Sequence, residues 1–105
     1  MNQCRSVLQK LSNALEQADE HRLAALVREQ VNNDDSALTA FLTSNELWGG
    51  AGSIADQAGM KGRLARRIVE EVMIELGELQ LKNGMTNVRT KMWTSVFAEW
   101  RSKGI

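Results

Sequence analysis

The sequence predicts an all-α fold: a single-domain bundle of four to six helices over residues 1–105. Three observations predict it. Proline is absent, so chain reversals fall to glycine and to polar caps. Between those breaks, apolar residues recur at helical spacings of three and four. No segment sustains the apolar/polar alternation with β-branched enrichment that marks a strand. A length of 105 residues, 43% of them hydrophobic and 25% charged, suits one ordinary globular core.

Val7, Leu8, Leu11, Leu15 and Ala18 form the first stripe, and Leu23, Leu26, Val27 and Val31 a second. The second is displaced by about one residue from the continuation of the first. Residues 5–31 therefore read as one bent helix or as two, and the displacement favours a break near residues 18–21 with Asp19 capping the second helix. The polar run 32–35 closes this region, and Asp34 or Asp35 caps a helix over about 35–47 that turns Leu38, Phe41 and Leu42 inward.

A glycine-rich corner follows at 49–52. Trp48 anchors it, while Gly49, Gly50 and Gly52 permit the positive φ values that end a helix and reverse the chain. Ser53 with Asp56 matches the Ser/Thr-x-x-acid capping pattern, starting a short helix over about 53–58 that Gly59 closes. A long central helix is expected at about 61–82. Its apolar face (Leu64, Ala65, Ile68, Val69, Val72, Met73, Leu76 and Leu79) is wider than a surface helix requires. Gly77 lies on that face, where a close helix crossing is the economical reason for a residue costing roughly 1 kcal/mol relative to Ala. Asn83 and Gly84 end the helix, and Thr86 caps the last one. There Val88, Met92, Trp93, Val96, Phe97 and Trp100 form a bulky stripe that must bury, before a fraying end at Lys103 and Gly104.

Composition excludes more functions than it suggests. The net charge is zero, with 13 basic and 13 acidic residues, which argues against a dedicated nucleic-acid binder. The charge is nonetheless split, with four basic against seven acidic residues in 1–52 and nine against six in 53–105. No apolar run approaches the roughly 18 residues a membrane span requires, and residues 1–10 lack the features of a signal peptide. The lone Cys4 agrees with a reducing compartment, so a cytoplasmic location is expected. One His (His21, among charged neighbours) and one Cys, far apart, supply neither a zinc ligand set nor a nucleophile pair. Glu71, Glu75 and Glu78 read as a solvated helix face. The chain is read as non-enzymatic, with no catalytic, metal or cofactor-binding residue.

Two local patterns carry functional readings. Residues 50–55 fit G-x-G-x-x-A, but that phosphate cradle works only between a strand and a helix, and helix precedes it here. Residues 53–67 resemble a helix-turn-helix, in which Lys61, Arg63, Arg66 and Arg67 would meet DNA. Four cations near a helix N-terminus oppose the macrodipole, which an anionic partner would explain. Against this stand Gly62, inside the would-be recognition helix, and the short helix before it. The plainer alternative makes Arg66–Glu70 and Arg67–Glu71 surface i, i+4 pairs.

The run Trp48-Gly49-Gly50-Ala51-Gly52-Ser53-Ile54-Ala55-Asp56 resembles a motif of small, uncharacterised bacterial all-helical proteins, Gly-Gly-x-Gly-Ser-x-x-Asp at a helix end. It covers about a tenth of the chain, and Ala51 replaces the usual Met. The resemblance implies a structural corner and, for some such proteins, an accessory or immunity role through a bound partner. Three Trp and five Met with a charge-split surface make association with a protein partner, or self-association through the Trp93 and Trp100 helix, the leading expectation. Helix-turn-helix DNA binding is the alternative.

Overall fold

The computed structural model describes residues 1–58 and 60–105. It contains six helices among the described residues, in the order α1 (Asn2–Gln17), α2 (His21–Val31), α3 (Asp35–Leu42), α4 (Ile54–Gln57), α5 (Arg63–Asn83) and α6 (Thr90–Lys103), and no strand among them. The all-α bundle follows from the stripes that the sequence displays.

The break between α1 and α2 is a helix C-cap. Glu20 N–H donates to the Leu15 carbonyl at 2.8 Å and Asp19 N–H to that of Glu16 at 3.1 Å. This closes α1 with Asp19 in the left-handed region at φ 63°. Asp19 therefore does not cap α2: the residue before that helix is Glu20, with no side-chain cap bond. Asp34 does cap α3, accepting from Ala37 N–H at 2.8 Å. That helix stops at Leu42 rather than near 47. Thr43 and Ser44 turn their hydroxyls back onto the carbonyls of Thr39 and Phe41 at 2.9 and 2.6 Å, a competition that favours turns over continued helix. Leu47 and Trp48 are fully buried even so.

Helix α5 is the spine. It runs antiparallel to α1, as the pairs Lys61–Asp19 and Lys10–Glu75 require, and antiparallel to α6, as Arg101–Glu71 and Gly77–Thr94 require. Helix α2 covers the other side of α1, where the buried Ser12 hydroxyl donates to the Ala24 carbonyl at 3.0 Å. One apolar core joins Leu8, Leu11, Leu15, Val27, Leu38, Leu42, Trp48, Ile54, Val69, Met73, Leu76 and Phe97. Cys4 is buried in it, and desolvation pushes its thiol pKa up.

The expected apolar faces are corrected in part. Helices α1 and α6 leave one strip of α5 uncovered, so Leu64 is 81% exposed and Ile68 37%. Of the expected bulky stripe only Phe97 is fully buried; Trp93, Val96 and Trp100 are half-buried, and Val88 (93%) and Met92 are exposed. Thr86 does not cap that helix. It begins at Thr90, after a turn in which the Asn87 side-chain oxygen accepts from the N–H groups of Arg89 and Thr90 at 2.8 and 3.1 Å. Gly62 precedes α5 at φ 124° instead of lying within it, which removes one objection to a recognition helix. Gly59, expected to close the short helix, lies outside the described residues.

Candidate functional site

Three places hold chemistry-bearing residues: the glycine corner, the start of α5, and the cleft between them and α6. The corner is built around Trp48. Its indole N–H donates to the Gln80 side-chain oxygen at 2.8 Å, and the Gln80 amide donates to the carbonyls of Leu42 and Met85, each at 2.7 Å. Asn87 donates to the carbonyls of Ser44 and Trp48 at 3.0 and 2.8 Å. Trp93 Nε1–H donates to Gly49 O at 2.9 Å. The chain leaving α3 is thus stitched to α5 and α6 through its own carbonyls, which a buried loop otherwise leaves unpaired.

The glycines serve this packing differently from expectation. A Cβ on Gly49 would lie 2.0 Å from the Asn45 carbonyl oxygen, so that position demands close approach, while Gly52 is the one glycine of the corner at positive φ. Ser53 accepts from Asp56 N–H at 3.1 Å, and Asp56 Oδ2 accepts from Gly52 N–H at 3.0 Å. This reciprocal cap starts α4, which spans four residues. Trp48, Gly49, Gly50, Gly52, Ser53 and Asp56 therefore come together as architecture. Sequence reasoning missed Gln80 and Asn87. Gln80 had a signal: it continues the Val69, Met73, Leu76 row, where a polar residue needs partners.

The four cations at the start of α5 do not form one outward patch. Lys61 lies 3.8 Å from Asp19, and Arg63 donates to the Gly104 carbonyl. The Arg66 guanidinium sits over the Trp100 ring, 4.8 Å from its centre, and Arg67 Nε is 3.9 Å from Glu70 Oε1. The expected i, i+4 pairs are replaced by this i, i+3 contact and by Arg101–Glu71 at 3.2 Å. The reason is tertiary: α6 crosses this flank of α5 and draws the side chains toward itself.

Beside Arg66 is a cleft of about 180 Å³ lined by Ala55, Asp56, Ala58, Met60, Arg66, Trp93 and Trp100. Arg66 Nε is buried without a hydrogen-bond partner. One turn along α5, Glu70 is 1% exposed and both its carboxylate oxygens also lack hydrogen-bond donors. Unpaired buried groups of this kind cost stability. Trp93 stacks on Phe97 at 5.5 Å, and Phe97 meets the Trp100 ring edge-on at 5.8 Å, which holds both cleft indoles in place.

His21 lies apart from this cleft. It is exposed, with Nδ1 3.1 Å from Glu16 Oε1 and Nε2 2.7 Å from Asp19 Oδ1. The hydrogen bond to Glu16, reinforced by that to Asp19, raises its pKa above the ordinary histidine value. A raised native pKa means this contribution to stability is complete below the unfolded-state pKa and is lost as pH rises through the native one. An NMR titration of His21 should accordingly give a midpoint above that of an exposed reference histidine, falling back toward it in Glu16→Gln. An unshifted midpoint in the native protein would contradict the geometry.

No group of three or more His, Cys, Asp or Glu residues is placed to hold a metal ion among the described residues, and no helix there is long and apolar enough to cross a membrane. Comparison with models of known protein families, with curated proteins and with solved structures finds no match.

Proposed function

We propose that this chain is a non-enzymatic association module whose partner is a second copy of itself. The observation that carries the reading is the uncovered strip of α5, where Leu64 and Ile68 stand exposed on successive turns, with exposed Met60 in the turn just before the helix. The strip is charge-graded. Lys61 stands at its N-terminal end, and Glu71 and Glu75 follow it toward the C-terminus. That order is self-complementary under a two-fold axis. If two α5 helices pair antiparallel about a point midway between Leu64 and Ile68, Leu64 packs on the partner's Ile68 and the cationic N-terminal end of each helix lies toward the acidic Glu71 and Glu75 of the other. The intramolecular pairs these charges make are solvent-exposed and weak enough to exchange. A cytoplasmic location belongs to this reading, supported by the single unpaired Cys4.

DNA binding through 53–67 is less well supported. Arg63, Arg66 and Arg67 turn toward Gly104, Trp100 and Glu70 of the same chain, so they do not present one outward patch to phosphate. An accessory or immunity role, which the resemblance at 48–56 implies, remains compatible with association and would place an effector-like gene beside this one.

Sedimentation equilibrium tests the association. At about 100 µM a contact with Kd in the 10 µM range leaves mostly dimer. The native chain should sediment as a dimer that weakens with salt, and Leu64→Lys as a folded monomer. A strict monomer for the native chain at that concentration overturns the proposal.

A further inference from the structure

We infer that residues 98–105, the C-terminal half of α6, form an autoinhibitory strap over the basic start of α5. The strap swings off α5 about Phe97 while the rest of the bundle stays folded, and it occupies Arg63, Arg66 and Arg67 only when closed. Three contacts fix the register of the two helices. Gly77 meets Thr94, Glu71 pairs with Arg101 at 3.2 Å, and Arg67 Nη2 would lie 3.4 Å from a Cβ placed on Gly104. Glu70 accordingly lies under the turn that carries Trp100 and Arg101.

The two halves of α6 are held differently. The first is pinned: Thr90 N–H bonds to the Asn87 side chain at 3.1 Å, Trp93 Nε1–H to Gly49 O at 2.9 Å, Thr94 fills the close crossing at Gly77, and Phe97 is fully buried. Beyond Phe97 every residue is exposed or half-buried. The strap is tied by Arg101–Glu71, whose side chains are 50% and 68% exposed, and by Arg63 donating to the Gly104 carbonyl, and exposed ion pairs contribute little. Segments with so little burial open at low free energy. The end is nevertheless capped, with Gly104 at φ 72° and Ile105 N–H donating to the Trp100 carbonyl at 2.9 Å. The strap therefore moves as a unit.

Beneath it lie the groups that favour opening. Glu70 is 1% exposed and neither carboxylate oxygen has a hydrogen-bond partner; Arg67 Nε, at 3.9 Å, is too far to donate. A carboxylate there wants donors and a carboxylic acid wants an acceptor, so either form is unanswered. The Arg66 Nε–H is also sealed without a partner. Opening hydrates both groups. It also releases Arg66 from Trp100 and Arg63 from Gly104, beside the N-terminus of α5, which no side chain caps. Closure is what keeps these arginines from forming one patch.

Native-state hydrogen exchange on the full chain tests the strap. The amides of residues 98–103 should exchange through one shared opening, about tenfold or more faster than those of 94–97. Glu70→Met keeps the side chain's length without its oxygens and should slow exchange at 98–103 about tenfold, because opening no longer relieves a buried polar group. Glu70→Gln, which removes the charge at nearly constant shape, should act in the same direction. The Arg66 Nε–H should be protected in the native chain and gain protection in parallel. Amides at 98–103 as protected as those at 94–97 overturn the inference. So does exchange there that neither Glu70 variant slows, since simple fraying is indifferent to residue 70. An Arg66 Nε–H that exchanges as in free arginine overturns it as well.

Discussion

Gln80→Leu should destabilise the protein by about 4 kcal/mol, because two buried groups and one part-buried carbonyl lose their partner together. The Trp48 indole N–H and the carbonyls of Leu42 and Met85 all bond to the Gln80 amide at 2.7 to 2.8 Å, and Gln80 is fully buried. Leucine nearly matches the volume, so the loss is of satisfaction and not of packing. A domain of this size shifts its midpoint by roughly 4–8 °C per kcal/mol, so thermal unfolding should fall by more than about 15 °C. Gln80→Glu separates the parts of the network: it keeps an acceptor for Trp48 but strands the two carbonyls. A Gln80→Leu midpoint within a few degrees of the native value would mean that Trp48 is held by packing alone.

Gly77→Ala carries the second large effect, about 3 kcal/mol of lost stability, at the upper end for an overpacked core. In most helices this substitution stabilises by roughly 1 kcal/mol, so even the sign is diagnostic. A Cβ at Gly77 would lie 2.0 Å from Thr94 Oγ1 and 3.0 Å from its Cβ and Cγ2. Thr94 is buried, and its hydroxyl donates back to the Thr90 carbonyl at 2.7 Å, so moving it away breaks that bond. The two helices would have to separate, and with them Arg101–Glu71 and the packing of Phe97. Thr94→Ala in the same chain should recover part of the loss, a coupling that a double-mutant cycle reads directly. Additive effects would show that the helix crossing does not rest on this contact.

The sequence by itself determined the helices. Their stripes, the Asp34 and Ser53 caps, the corner at 49–52 and the glycine at 77 are local or periodic features, and local physics acts on them wherever the chain folds. It also marked Arg66 as unusual, since cations near a helix N-terminus oppose the dipole. The tertiary structure decided which faces were covered and which charges were answered. Leu64 and Ile68 belong to the same apolar face as Val69 and Met73, and only the placement of α1 and α6 leaves them in solvent. Arg66 and Glu70 have i, i+4 spacing, yet α6 brings Trp100 to the arginine and buries the glutamate without a donor. Asn87, placed at the start of the last helix by the expected Thr86 cap, is instead a clasp, because the chain at Ser44 and Trp48 meets the turn before α6 there. Periodicity records what a helix offers to its surroundings; which neighbour accepts the offer is fixed by contacts between residues far apart in the chain, and no local pattern encodes those. For the glycine corner that difference matters most, since a stretch that resembles a phosphate cradle in sequence is filled, in three dimensions, by its own hydrogen bonds to Gln80, Asn87 and Trp93.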